Sequence, residues 1–245
     1  MSPLAALYVK ELKELRLVAA FALASTAGIG LYAVAVGPSA TMALALLALA
    51  LLIGATALIL PALLVKSVTR EWRMGTHYQL LSLPVGRAWP LLAKVAAHVS
   101  LGVALFLVSG LALPGIHELL LGSTYLDPMP AIDPAAVWVT AAALYFGLLV
   151  FVSSLACVAA VVRLLAPRFK GLASAAVVLS GTWFHSQAKA LVLPGSGITE
   201  IVRWDPLTGL GFEYGEMIAS LAVTCAVGLA YTAFGAWLFA RSAEV

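Results

Sequence analysis

The chain has 245 residues, of which 63% are hydrophobic and 10% charged, and its mean hydropathy is +1.05. A soluble domain carries about 25% charged residues, so the composition excludes an ordinary globular protein and indicates a polytopic membrane chain. A span needs roughly 20 apolar residues; the length accommodates about six, and the net charge of +3 is informative mainly through its distribution.

Ser2 and Pro3 form a helix start, with Ser at the cap and Pro in the first turn. Residues 1–16 then place Leu4, Tyr8, Leu12 and Leu15 on one helical face and Lys10, Lys13 and Glu14 elsewhere. That pattern fits an amphipathic helix lying in the membrane interface, or a simple extension of the first span. Apolar segments follow near 17–36, 41–65, 94–115, 135–162, 171–188 and 217–240. The first exceeds a signal-peptide core in length, although Ala33-Val34-Ala35 resembles a cleavage site, and it reads as an uncleaved span. The fifth ends in Trp183-Phe184-His185-Ser186-Gln187, so it leaves the bilayer early or lines something wet. The predicted fold is an all-α membrane protein with six transmembrane helices in one domain, 1–245.

With the N-terminus in the cytoplasm, all but Lys189 and Arg203 of the 14 basic residues fall inside. Seven of the 11 acidic residues, Glu118, Asp127, Asp133, Glu200, Asp205, Glu213 and Glu216, fall outside. The positive-inside rule then gives N-in and C-in. The outer loop near 116–134 is rich in Pro and Asp and reads as irregular. The outer segment 189–216 is apolar enough to dip a re-entrant helical hairpin into the interface, or to form an ordered surface loop.

The polar stretch 66–93 is the remaining anomaly. It carries Arg70, Glu71, Arg73, His77 and Arg87 between two apolar segments. Met74, Tyr78 and Leu81 share a helical face, and Pro84-Val85-Gly86 stops it. The expected structure is a loop with a short helix on the inner membrane surface, presenting charge to the cytosol.

Catalytic patterns are scarce. No Gly-Lys-Ser or Gly-Lys-Thr forms a phosphate loop. No HExxH, CxxC or GxSxG occurs, and His77, His98, His117 and His185 show no ligand spacing, so no metal site is predicted. Acidic residues are missing from the middle of the spans, which argues against embedded acid–base chemistry and proton relays. Cys157 and Cys225 lie in apolar runs and read as packing residues. His98, one turn past Lys94, lies near the inner interface, where it is either functional or simply hydrated.

The run Glu71, Gly75-Thr76, Leu80-Leu81-Ser82-Leu83-Pro84, Arg87 and Lys94 resembles the cytoplasmic loop of ABC-2 type transporter permeases. Lys10-Glu11-Leu12 is similar to that family's opening, and Trp204-Asp205-Pro206-Leu207-Thr208 to its segment before the last span. Trp72-Arg73-Met74 departs from the family pattern, which leaves the exact partner contacts open.

The resemblance implies a permease subunit without ATPase activity or a bound cofactor, not an enzyme. ATP and Mg would belong to a separate ABC ATPase subunit, docked through a coupling helix. Lys10, Lys13, Arg70, Glu71, Arg73, Met74, Gly75 and Thr76 would receive it. A second permease copy or a paralogue completes the core. Pro194, Trp204, Asp205 and Pro206 would belong to an outer gate, and Trp183, His185 and Gln187 to a pathway. The cargo would be amphiphilic or hydrophobic, such as a drug, peptide or lipid. The location would be a multi-pass position among the lipids of a bacterial or archaeal plasma membrane, with no nucleic-acid partner. The stretch from Gly75 to His98 is also similar to the haem-exporter membrane subunit. An enzyme with an outer-surface site at His185, Gln187, Lys189 and Glu200 is the alternative from another class.

Overall fold

The computed structural model describes residues 3–36, 40–75, 86–121, 134–193, 202–205, 209–212 and 214–242. Helices α1 (Pro3–Glu14) and α2 (Arg16–Val36) meet at Leu15 with a bend of 52°. Helix α3 spans Ala40–Arg73, α4 Trp89–Leu121 and α5 Pro134–Leu165. After a 3-10 turn at Pro167–Phe169 come α6 (Lys170–Val192), strands β1 (Val202–Asp205) and β2 (Gly209–Phe212), and α7 (Tyr214–Ser242).

Among the described residues, four helical stretches are long and apolar enough to cross a membrane: Ala50–Arg73, Trp89–Ser109, Val139–Leu165 and Glu216–Ser242. The α1–α2 pair makes a fifth if it is one broken span. Helix α6 is not among them, because Thr182, His185, Gln187 and Lys189 fill its second half with polar side chains.

Three expectations change. Residues 66–73 are not loop but the last two turns of α3, which has 34 residues. At 1.5 Å per residue that helix is about 51 Å long, against a hydrocarbon core of roughly 30 Å. Its charged end therefore continues as a rigid rod where polarity alone suggested a connector. Helix α4 likewise reaches Leu121, into the predicted 116–134 loop. The segment 189–216, expected as a helical hairpin or a surface loop, ends α6 at Val192 and starts α7 at Tyr214, and between them the described residues form an antiparallel ribbon that pairs Val202 with Phe212 and Asp205 with Gly209. The segment 76–85, with Tyr78, Leu81 and the expected coupling helix, lies outside the described residues.

Helix α5 is central and packs against α3, α4, α6 and α7. Lipid is as apolar as leucine, so shape, small residues and hydrogen bonds hold such helices together. In the middle of the bundle, Leu60, Ala57, Phe106, Tyr145 and Leu149 interlock, with the Phe106 and Tyr145 rings stacked at 4.7 Å. The Tyr145 hydroxyl donates to the Gly102 carbonyl at 3.1 Å and shares a hydrogen bond with Thr56 at 2.9 Å. Nearer the basic end, Leu64, Val68, Leu91, Val95, Ala160 and Phe239 join α3, α4, α5 and α7. Cys157 is buried in this second cluster, as a packing residue should be, whereas Cys225 is half-buried. Trp72 closes the cluster edge-on to Phe239 at 5.3 Å.

Gly102 permits the closest of the α3–α4–α5 contacts. A Cβ there would lie 2.5 Å from Leu149 Cδ2 and 3.2 Å from Leu60 Cδ1, while one at Gly28 meets nothing within 4 Å. Gly102→Ala should therefore destabilise the bundle by about 1–3 kcal/mol through overpacking. Gly28→Ala should stay within about 0.5 kcal/mol. Thermal unfolding of the purified variants in detergent measures both, and equal melting temperatures for the two would contradict the packing account.

Candidate functional site

Three elements converge at the basic end. Along α1 and the bend the buried residues are Leu7, Glu11 and Leu15; of the expected Leu4, Tyr8, Leu12 and Leu15 stripe, Leu15 is buried and the other three are half-buried. It packs on α4. Helix α3 brings Ser67 and Glu71, and the first turns of α4 bring Lys94 and His98.

Lys94 is the hub. Its ammonium donates to Glu11 Oε1 at 2.6 Å, Glu71 Oε1 at 3.0 Å and Ser67 Oγ at 2.8 Å. An ammonium has three donors, and each one here has a partner. The Lys94 and Glu11 side chains are each only 3% exposed, and Glu71 is 13% exposed. At the rim, Lys10, 46% exposed, donates to the same Glu71 oxygen at 3.1 Å and lies 3.8 Å from Glu14. Two cations thus face two inward carboxylates, and the cluster closes without an excess of buried charge.

Burial pushes the Glu11 carboxyl above the ordinary glutamate range; Lys94 opposes the shift, while Glu71 and Glu14 add to it. Burial works against the Lys10 ammonium, but its hydrogen bond to Glu71 and the surrounding carboxylates outweigh that and raise it above a free lysine. One turn deeper, His98 Nδ1 donates to the Lys94 carbonyl at 2.8 Å, so the Nδ1 proton is fixed in place. His98 is 1% exposed, so it does not lie open at an interface, and its Nε2 meets no partner among the described residues.

The arrangement is a clamp. It ties α1 to the projecting end of α3 and to the start of α4. Gly75, at φ +70°, ends α3 in the left-handed conformation that glycine adopts freely, two residues past Arg73.

The predicted docking residues divide. Arg70, Arg73 and Met74 are exposed. Glu71 does not present its charge to solvent, because it is engaged by Lys94 and Lys10. Lys10 borders the clamp, and Lys13 is exposed with no ion pair among the described residues. Thr76 lies outside them.

The predicted pathway residues do not share a wall. Trp183 and Gln187 are exposed one turn apart. His185 turns inward, hydrogen-bonded to Thr224 at 2.9 Å and packed 4.5 Å from the Phe151 ring. Of the outer-gate residues, Trp204 pairs with Leu210 and Asp205 with Gly209 in the ribbon, while Pro194 and Pro206 are outside the described residues. So is Glu200 of the alternative outer-surface enzyme site.

Sequence reasoning missed Glu11 and Ser67 as partners of Lys94. The signal was present: Glu11 sits four residues from both Leu7 and Leu15, inside an apolar stripe where an unpaired carboxylate would be untenable. Comparison with protein-family models, curated proteins and solved structures finds no match to this chain.

Removing one partner of a buried ion pair costs about 3–5 kcal/mol, because the remaining charge is left uncompensated. Lys94→Met should lose that much stability and raise hydrogen exchange across 3–14. Glu71→Gln in the same chain should recover part of the loss. Unfolding and exchange measured on the two singles and the double check this; unchanged protection of α1 in Lys94→Met would rule out the clamp.

Proposed function

We propose that the chain is the permease subunit of an ATP-driven exporter of ABC-2 type, coupling a separate nucleotide-binding subunit to the export of an amphiphilic or hydrophobic substrate. The observation that carries the reading is the Lys94 clamp. It makes α1, the projecting end of α3 and the start of α4 one mechanical unit, at the end of the bundle where the basic residues gather. A soluble motor that pushes on such a unit would move two long helices together.

Other features support the same reading. Without a phosphate loop, the chain needs an outside source of ATP energy, and the charge distribution favours N-in, C-in with the clamp in the cytoplasm. Arg70, Arg73 and Met74 offer an exposed cationic and apolar surface beside the 76–85 segment, the counterpart of the family's coupling helix. In this reading Glu71 supports the docking surface from behind. Helices α2 and α6 supply the first and fifth of six spans in a plasma membrane. The broad exposed faces of α6 and α7 meet lipid, cargo or a second permease. The ribbon before α7 belongs to the outer gate, and no cofactor is held by this chain.

Placing like charge against a complementary partner surface costs several kcal/mol. Arg70→Glu combined with Arg73→Glu should weaken ATPase capture by about tenfold or more while the melting temperature stays near the wild-type value. Co-purification of the tagged chain with ATPase subunits from its native host, followed by ATPase assay, tests this. If no ATPase accompanies the wild-type chain, the exporter reading falls. If the double variant captures as much ATPase as the wild type, the docking surface is misplaced.

A further inference from the structure

The junction of α1 and α2 holds a feature that the clamp engages only through Lys10. A hollow of about 690 Å³ is lined by Ala6, Val9, Lys10, Lys13, Glu14, Arg16 and Leu17, three cations to one carboxylate. Its charges are unequal in their commitments. Lys10 is held by Glu71 and Glu14. Lys13 and Arg16 are exposed, and neither has an ion-pair partner among the described residues. Two uncompensated cations therefore stand at the corner between a surface helix and a helix that enters the apolar slab.

Directly beyond the hollow, α2 carries Leu17, Phe21, Ala24, Gly28 and Leu31 on one exposed stripe, and nothing approaches a Cβ built at Gly28. Anionic headgroups attract basic residues beside a membrane, and an exposed apolar stripe suits acyl chains. A protein partner would have to satisfy both a cationic corner and a purely aliphatic and aromatic strip below it. A phospholipid carries both chemistries in one molecule, in that order along the membrane normal.

We infer that the elbow binds an anionic phospholipid, its phosphate held by Lys13 and Arg16 and its acyl chains laid along Leu17 and Phe21 of α2. The lipid wedges the corner from outside while the Lys94 clamp holds α1 from within. The inference stands apart from the exporter reading, since it needs only that α1 lie at a membrane surface.

Native mass spectrometry of the purified full-length chain in detergent tests it, with dioctanoyl phosphatidylglycerol and dioctanoyl phosphatidylcholine titrated in parallel. Each basic residue near an anionic surface contributes about fivefold to binding. Wild type should therefore prefer the glycerol headgroup, and Lys13→Gln with Arg16→Gln should lose roughly 30-fold of that preference. The charge-matched control Arg70→Gln with Arg73→Gln should retain it, as should Lys13→Arg with Arg16→Lys, which also guards against a folding defect in the neutral pair. Equal binding of the two lipids by wild type overturns the proposal. So does an equal loss in the charge-matched control, which would indicate diffuse charge. An unchanged preference in the neutral variant, with loss of a co-purifying ATPase, would make this face a protein interface instead.

Discussion

The basic end of this bundle depends on one ammonium group. Lys94 lies in an apolar run where a free charge would be untenable, and it is stable there because Glu11, Glu71 and Ser67 take all three of its protons. The three partners come from two other helices. Lys94 therefore fixes the position of α1 relative to α3 and α4 far more narrowly than leucine packing would. Apolar contacts tolerate sliding, whereas an ammonium with three directed hydrogen bonds does not.

That constraint accounts for the elbow. No proline or glycine stands at Leu15, and the ladder bonds Leu15 to Glu11 and Ala19 to Leu15 remain on either side of it. With Glu11 drawn to Lys94 and α2 packed along α3 and α4, the two helices cannot be collinear. A bend of 52° reconciles the two attachments. The elbow then creates the cationic hollow, so the buried pair and the exposed pair of cations are two faces of one geometric compromise.

The helical membrane character and most helix positions were legible in composition and in apolar run lengths, because the bilayer imposes both. The end of α3 was not. Arg70, Glu71 and Arg73 look like loop by polarity, yet nothing in Ser67–Arg73 opposes a helix, and the left-handed residue that stops it is Gly75. The ribbon at 202–212 was obscured by its apolar content, although Val202 and Trp204 alternate with polar neighbours as strand residues do. In the site, Lys94 and Glu71 stood out as charges, but their pairing is a contact across 23 positions. Single-sequence periodicity reports which face a residue occupies and not what lies opposite. Glu11 is the instructive case: its place in an apolar stripe announced burial, and burial of a carboxylate demands a cation, so Lys94, the charge set into the apolar start of α4, was the one to look for.

The distribution of tightness across the bundle follows from the same physics. Hydrophobic burial does not drive helix association in lipid, so contacts tighten where small residues or polar partners permit them. Gly102 against Leu149 and the Tyr145 hydroxyl on the Gly102 carbonyl lock α4 to α5 at mid-depth. Lys94 locks α1, α3 and α4 at the basic end. Helix α6 is held to α5 in the same way: Leu155 presses into its buried Gly181, where a Cβ would lie 2.3 Å from Leu155 Cδ2, and the described polar contact from its side chains into the bundle is His185 on Thr224. Charge thus ties α1, α3 and α4 together at the basic end, whereas close glycine contacts and neutral hydrogen bonds tie α4 and α6 to α5 and α7. A load applied to the projecting end of α3 would therefore pass first to α1 and α4, which share its ion pairs through Lys94.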